Sequence, residues 1–295
     1  MKWILIFKVN QMDQKAGKAE HMKTLLGNKN NTKEIINERR ENMQNTAGPE
    51  SNVILFSSAK GGSGCSFIAS TVSTYLARKT SVNVLLLDLN IGKRDSRVIF
   101  DVDDGNYKDY GDIGSAAGSL DTSVLKRLVI NFDNSLHLLL PPLDPGKKEI
   151  LEGDNFNRFL ESLRDHFDII CIDFPYHLFR YIDIGEIDIA DRFVFVSLPD
   201  IVSINNTRIL MEYVDSAKSH PGPYLIINKY NVRPAISPTG LTSILKFPVS
   251  SFMPYDRDIE SLINTRGPDY IFNYNLRIIR SISEISQKIY EELDI

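Results

Sequence analysis

The chain has 295 residues, of which 42% are hydrophobic and 24% are charged. This composition is that of a folded globular protein and excludes disorder over most of the length. The formal net charge of −4 excludes a globally basic nucleic-acid binder. Two cysteines, Cys65 and Cys171, cannot form a disulfide scaffold, which favours a reducing cytoplasm.

Residues 1–50 differ in composition from the rest of the chain. They carry a charge of +3, whereas the remainder carries −7. The stretch is rich in Gln, Asn, Lys and Glu and ends near Gly48-Pro49, a dipeptide typical of a linker. Its apolar run from Trp3 to Phe7 is far shorter than the roughly 20 residues of a membrane-spanning helix. We therefore expect a polar, basic N-terminal extension with no membrane span.

From residue 51 onward, short apolar runs alternate with segments of helical spacing. The runs predict strands over 53–56, 82–87, 136–140, 167–172, 193–198, 224–227 and 248–252. The spacing predicts helices over 66–79, 123–130, 156–165, 204–219 and 276–293. Nearly continuous apolar strands that alternate with helices indicate an α/β fold. We expect one domain over 51–295, a doubly wound, mostly parallel sheet with helices on both faces.

The first predicted strand leads into a glycine-rich loop that a helix follows. The loop reads Ser58-Ala59-Lys60-Gly61-Gly62-Ser63-Gly64-Cys65-Ser66-Phe67. Glycines let backbone N–H groups converge on an anion, and the helix N-terminus adds a partial positive charge. The pattern therefore predicts a phosphate-binding loop. Cys65 stands where the ordinary loop has its lysine, while Ser66 keeps the hydroxyl that reaches magnesium.

Lys-Gly-Gly-x-Gly after an apolar strand resembles the deviant phosphate loop of the MinD/ParA family of P-loop NTPases. The resemblance covers roughly residues 52–275 and includes four further segments in the family's order. They are Asp88-Leu89-Asn90, like the switch region; Asp173-Phe174-Pro175, like the Walker B strand and its continuation; Asn228-Lys229, like the base-recognition position; and Met253-Pro254-Tyr255-Asp256, like the loop over adenine.

The resemblance implies ATP or ADP with Mg²⁺ as the ligand, and it assigns candidate residues. The residues expected to bind phosphate are Lys60, Gly61, Gly62, Ser63, Gly64, Cys65, Ser66 and Phe67. Those expected to bind adenine are Asn228 and Pro254. Ser66, Asp88 and Asp173 are expected to hold magnesium through water molecules. Lys60 and Asp88 are the candidate catalytic residues. In the family, two subunits pack face to face, and the lysine at the Lys60 position reaches the partner's nucleotide, so a homodimer is expected.

Two departures from the family pattern bear on hydrolysis. Cys65 removes a cation from the loop, which costs about 1.5–3 kcal/mol of phosphate binding, or roughly ten- to a hundredfold in affinity. Asn90 stands at the second switch aspartate, and an amide cannot act as a carboxylate base. We therefore predict slow or absent hydrolysis. A thiol at a helix N-terminus can also have a lowered pKa and sense redox state, although filling the space of the lysine explains Cys65 more simply.

Within the family, residues 136–144 and 172–177 look most like the TadZ/CpaE branch, whose members help to place and assemble pili. We expect a cytoplasmic protein that serves a pilus or secretion apparatus, peripheral at the inner membrane or cell pole through protein partners. The alternative is a working ATPase that places a division or flagellar structure, with the partner's Lys60 compensating for Cys65. A DNA-segregation ATPase is a third hypothesis, which the −7 charge outside the extension disfavours, and no specific nucleic-acid binding is expected.

Overall fold

The computed structural model describes residues 51–80, 82–103, 109–113, 122–151, 155–180, 190–216, 222–232 and 236–293. The extension expected over residues 1–50 lies outside these ranges and remains a prediction. Among the described residues, no helix has the length and apolar character needed to cross a bilayer.

The described part of the chain contains eight strands and eight α-helices. The strands are β1 (Asn52–Ser57), β2 (Val84–Asp88), β3 (Ile130–Asn131), β4 (Leu136–Leu139), β5 (Ile169–Asp173), β6 (Arg192–Ser197), β7 (Tyr224–Asn228) and β8 (Ser251–Met253). The helices are α1 (Cys65–Lys79), α2 (Asp95–Ile99), α3 (Thr122–Leu128), α4 (Asn155–Arg164), α5 (Ile201–Asp215), α6 (Pro238–Leu245), α7 (Arg257–Arg266) and α8 (Arg277–Glu291).

The strands form one sheet in the order β3-β4-β2-β5-β1-β6-β7-β8. All neighbours pair in parallel except β3, which runs antiparallel to β4 at one edge. The predicted doubly wound, mostly parallel sheet is confirmed. Because β1 lies between β5 and β6, the loop that follows it opens at the carboxyl edge near the centre of the sheet, where such folds bind ligands.

Alternate residues of the central strand enter two separate cores, one on each face of the sheet. Val53 and Leu55 join the core that contains residues of α3, α4, α5 and α6. Ile54 and Phe56 join the core that contains residues of α1, α7 and α8. Side chains on successive strand positions point to opposite faces, so a strand covered on both sides must be apolar throughout. The described helices therefore do cover both faces, as the apolar runs predicted.

Some elements differ from the prediction. Helices α2, α6 and α7 were not predicted, and each has ten residues or fewer, which leaves little periodicity to detect. The helix predicted over 123–130 ends at Leu128, and Ile130 instead pairs with Leu138 in the antiparallel edge of the sheet. The helix predicted over 204–219 begins three residues earlier, where Asp200 caps it.

Candidate functional site

The glycine-rich loop adopts a conformation that depends on two of its glycines. Gly62 and Gly64 have φ angles of +78° and +86°, which L side chains rarely adopt. Gly64 occupies the N-cap of α1, and no side chain caps the helix from that position. The first N–H groups of α1 are therefore left to a ligand, and the helix dipole favours an anion there.

Asn228 ties this loop to the end of β7. Its side chain is 3% exposed, and Nδ2 donates a hydrogen bond to the Ser63 carbonyl oxygen at 2.8 Å. Its Oδ1 accepts from the Lys229 N–H at 2.9 Å. A Cβ atom at Gly64 would lie only 2.5 Å from Nδ2, so this contact needs glycine as well. One Nδ2 hydrogen and one Oδ1 lone pair remain for another partner, such as the predicted adenine.

Two carboxylates face each other at the ends of adjacent strands. Asp88 of β2 and Asp173 of β5 are paired in register, and both are buried. The Asn90 amide bridges them, because Nδ2 donates to Asp88 Oδ1 at 2.7 Å and to Asp173 Oδ2 at 2.8 Å. The Asn90 N–H and the Ser96 hydroxyl also donate to Asp88, at 2.8 and 2.6 Å. Asn90 thus holds together the two acidic residues that the sequence assigns to magnesium.

Burial dominates the electrostatics of this cluster. Burial raises the pKa of Asp173 to about 7, with a further contribution from Asp88, while hydrogen bonds from Ser66 and Cys65 oppose the rise. Burial also raises the pKa of Asp88, against hydrogen bonds from Ser96 and Asn90. Neutral donors therefore satisfy both carboxyl groups, at a place where the ordinary phosphate loop brings a lysine.

The same surroundings bear on the thiol of the loop. Burial, followed by the charges of Asp173 and Asp88, raises the pKa of Cys65 well above its ordinary value. Cys65 is therefore a neutral thiol at physiological pH, which argues against the redox-sensor alternative. Cys171 lies in β5, and burial raises its pKa to about 12. Neither cysteine is therefore a good nucleophile in this structure.

Lys60 is engaged within its own subunit. Its Nζ donates to Asp200 Oδ2 at 3.2 Å, and the two side chains are 42% and 36% exposed. Asp200 also caps α5, because its Oδ1 accepts from the N–H groups of Val202 and Ser203. Burial raises the pKa of Asp200, but hydrogen bonds from Ser203 and Lys60 outweigh it, so that the net shift is downward. Lys60 therefore lies at the loop entrance, held by a charged carboxylate.

Two cavities meet at the loop. The first, of about 280 Å³, includes the loop residues Ser58 to Ser63, Cys65 and Ser66 together with Asp173, and we call it the phosphate cavity. The second, of about 340 Å³, is lined by Gly64, Phe67, Asn228 and Pro254 among others, and we call it the base cavity. The structure thus brings every predicted phosphate and adenine residue to one of these two cavities. Asp88 lies behind the phosphate cavity, bonded to Asn90.

The residues present fit a nucleotide with magnesium. Gly62 and Gly64 keep the loop free of side chains up to the N-terminus of α1, where backbone N–H groups can bind phosphate. Ser66 and Asp173 both line the phosphate cavity, which brings a hydroxyl and a carboxylate to one place for a hydrated Mg²⁺ ion. Among the described residues, no group of three or more His, Cys, Asp or Glu side chains could hold a metal ion alone. A magnesium ion here therefore depends on phosphate oxygens and water for most of its ligands.

Sequence reasoning missed three residues of this site. Asp200, the partner of Lys60, was detectable only as a cap signal before Ile201. Ser96 and Lys93 follow the switch segment, but nothing in their spacing places Ser96 on Asp88 or Lys93 at the phosphate cavity. Asp200 and Lys93 reach this site only because chain crossings bring distant segments together, whereas Ser96 bonds to Asp88 only eight residues away in the chain.

No family model matches the chain. Over 247 residues, which are 82% of this chain and 89% of the relative, it is 24% identical to the septum site-determining protein MinD of Thermotoga maritima. Solved structures that are similar in fold include the following two. A ParA family ATPase from Chlorobium tepidum has a TM-score of 0.70 and 21% identity, covering 80% of this chain and 99% of that one. MinD from Pyrococcus horikoshii, complexed with Mg-ADP, has a TM-score of 0.63 and 19% identity, covering 81% and 96%. The chain thus has the fold of the MinD/ParA P-loop NTPases.

Proposed function

We propose that this chain, which has the MinD/ParA P-loop NTPase fold, is a nucleotide-binding positioning or assembly protein that hydrolyses ATP slowly or not at all. Its ligand is ATP or ADP with Mg²⁺. Its role is that of a TadZ/CpaE-like protein, which places a pilus or secretion apparatus from the cytoplasm through protein partners. The motif resemblance over residues 136–144 and 172–177 supports this branch.

The observation that carries the slow-hydrolysis proposal is the bridge made by Asn90. Both hydrogens of its amide are committed, one to Asp88 and one to Asp173. An amide cannot accept a proton as a carboxylate base does, and both hydrogens of this one are already donated to the two acidic side chains. The neighbouring Cys65 adds no cation to the loop, so charge that develops on a transferred phosphoryl group is poorly stabilised.

Nucleotide binding itself is supported by the groups that remain. The first two residues of α1, Cys65 and Ser66, line the phosphate cavity, where their backbone N–H groups and the Ser66 hydroxyl can serve a phosphate. Bound Mg²⁺ neutralises charge on the phosphate oxygens. Asn228 and Pro254 line the base cavity, at the far side of Gly64. We expect weak binding, reduced roughly ten- to a hundredfold by the absence of a loop lysine.

A homodimer is part of the proposal. Lys60 lies at the entrance of the phosphate cavity, exposed enough to contact a second subunit. Beside its partner Asp200, the apolar side chains of Ile201 and Val202 are 54% and 56% exposed. Exposed apolar side chains next to a partly exposed cation are typical of a contact between subunits.

Calorimetry and light scattering on matched variants test this function. We would measure ATP and ADP binding with Mg²⁺, and dimerisation, for the native chain, Cys65→Lys and Cys65→Met. Lysine restores the missing charge, whereas methionine fills similar space without it. A ten- to hundredfold gain in affinity for Cys65→Lys alone is expected. If Cys65→Lys changes neither affinity nor assembly, the phosphate-loop assignment is wrong.

A working ATPase that places a division or flagellar structure is the second candidate. The exposure of Lys60 at the mouth of the phosphate cavity favours it, because a lysine from the partner subunit could replace the missing cation. Turnover measurements separate the two candidates. Hydrolysis well above background that Lys60→Ala abolishes would establish the working enzyme and overturn the proposal of slow hydrolysis.

A further inference from the structure

A second lysine lies at the phosphate cavity. Lys93 lines the cavity together with Cys65, Ser66 and Asp173, and it is exposed to solvent. It comes from the segment between β2 and α2, not from the loop itself. The other lysine of this cavity, Lys60, is bonded to Asp200. Lys93 is therefore the cavity lysine that a ligand can recruit without breaking the pair between Lys60 and Asp200.

The turn that carries Lys93 is fixed at three points. Asn90 is anchored by its amide to Asp88 and Asp173, and its carbonyl oxygen accepts from the Lys93 N–H at 3.0 Å. The Gly92 N–H donates to the Pro142 carbonyl oxygen at 2.9 Å.

The conformation of this turn also depends on glycine. Gly92 has a φ of +77°, and a Cβ atom there would lie 3.2 Å from Cγ of Pro145. These constraints hold the backbone of Lys93 at the rim of the cavity, so little backbone entropy is lost when its side chain engages a ligand.

The charges that line the phosphate cavity make a cation at the Lys93 position useful for binding a phosphate. Asp95 and Asp173 bring carboxylates to its lining, and Cys65 stands where the ordinary loop has a lysine, so the loop position itself brings no cation. A polyphosphate entering the cavity needs a cation to offset this negative surrounding. Lysine provides a compact charge on a flexible four-carbon stem, which suits a phosphate contact made from a neighbouring turn.

We propose that Lys93 replaces in part, from within the same subunit, the cation that Cys65 does not provide, and that it contacts the terminal phosphates of bound ATP or ADP. The proposal rests on the proposed nucleotide-binding function. In this proposal, two segments together provide the phosphate contacts that the ordinary loop provides alone. The loop offers N–H groups and the Ser66 hydroxyl, and the anchored turn offers the charge.

Matched lysine-to-methionine variants test the proposal. Lys93→Met removes the charge at the cavity, and Lys79→Met removes one from the opposite end of α1, outside both cavities. Calorimetry with ATP, inorganic tripolyphosphate and adenosine is the measurement. Lys93→Met should weaken ATP and tripolyphosphate binding about tenfold and flatten their salt dependence, while adenosine binding stays unchanged. Lys79→Met should match the native chain.

A rescue variant shows whether Lys93 and the loop position are equivalent. In the Lys93→Met background, Cys65→Lys should restore ATP affinity to the native level or above. Equal affinities for Lys93→Met and Lys79→Met would overturn the proposal, and so would an equal loss of adenosine binding, which indicates an altered fold. A native chain that binds neither ATP nor tripolyphosphate overturns the proposed function together with this inference.

Discussion

Lys60 and Asp200 are 140 residues apart in the chain, yet their side chains meet at 3.2 Å at the mouth of the phosphate cavity. An exposed pair of this kind contributes only about 0.2–1 kcal/mol. It therefore breaks easily when a stronger partner for the lysine arrives. Asp200 thereby holds Lys60 in the isolated subunit and can release it to a phosphate.

Asp200→Asn should release Lys60 without unfolding α5. Asparagine is as good an N-cap as aspartate, so the bonds to the N–H groups of Val202 and Ser203 survive. We expect ATP-dependent dimerisation at several-fold lower protein concentration, measured by light scattering, and less than about 1 kcal/mol change in unfolding free energy. Asp144→Asn, which changes an exposed turn residue, is the control. Unchanged dimerisation would show that the pair does not restrain Lys60.

Asn90→Asp should destabilise the protein when magnesium is absent. The substitution places a third carboxyl group against Asp88 and Asp173 and removes both amide bonds, a loss of about 1–3 kcal/mol. Urea unfolding with and without Mg²⁺ measures it. Mg²⁺ should restore part of the lost unfolding free energy in the variant, and it should change the unfolding free energy of the native chain little. A variant as stable as the native chain in EDTA would show that the amide bridge contributes little.

The pKa of about 7 at Asp173 predicts a pH-dependent stability. An unfolded aspartate titrates near about 3.9, so the folded state binds the proton more tightly. This group's contribution is complete below pH 4 and declines as the pH rises through 7. Unfolding free energies of the native chain and Asp173→Asn, measured from pH 4 to 8, should therefore diverge, with the variant gaining relative stability as the pH rises. If the unfolding free energies of the two proteins change with pH in parallel, the pKa of Asp173 lies near its ordinary value.

Cys65 should react slowly with thiol reagents. Its raised pKa leaves almost no thiolate at pH 7.5, and Cys171 is buried. In a Cys171→Ser background, alkylation by iodoacetamide should be at least tenfold slower in the folded chain than in guanidinium chloride. Rapid alkylation of the folded chain would restore the redox-sensor hypothesis.

Asn231→Ala should loosen the wall of the base cavity. The Asn231 side chain accepts from the Tyr255 N–H at 2.6 Å and donates to the Tyr255 carbonyl at 3.2 Å. Tyr255 and Pro254 line that cavity. We expect weaker ATP binding, by roughly tenfold, with tripolyphosphate binding unchanged.

A control for this variant comes from the opposite edge of the sheet. Asn131→Ala removes a bond to His137 between β3 and β4, far from either cavity, and should bind ATP as the native chain does. Equal ATP affinity in Asn231→Ala and Asn131→Ala would indicate that Pro254 and Tyr255 keep their positions in the base cavity without Asn231.

The sequence predicts the sheet well because parallel strands buried on both faces must be apolar throughout. The phosphate loop is equally visible, since the requirement for positive φ at Gly62 and Gly64 is local. The partners of the loop are not predictable in this way. Asn228 could be placed after its strand, but its bond to Ser63 spans 165 residues and depends on strand order. The bridging role of Asn90 likewise arises only because β2 and β5 are adjacent.

Helix α1 carries a row of small hydroxyl side chains that turn back on its own backbone. Thr71, Ser73 and Thr74 donate to carbonyl oxygens one turn earlier, and all three are buried. Short side chains satisfied in this way let the helix lie close against both the sheet and α8. Because α1 is packed against both, we expect it to keep its position when a ligand binds at its N-terminus. The response to a bound ligand is then expected outside α1, at Lys60, whose side chain links the loop to Asp200 at the start of α5.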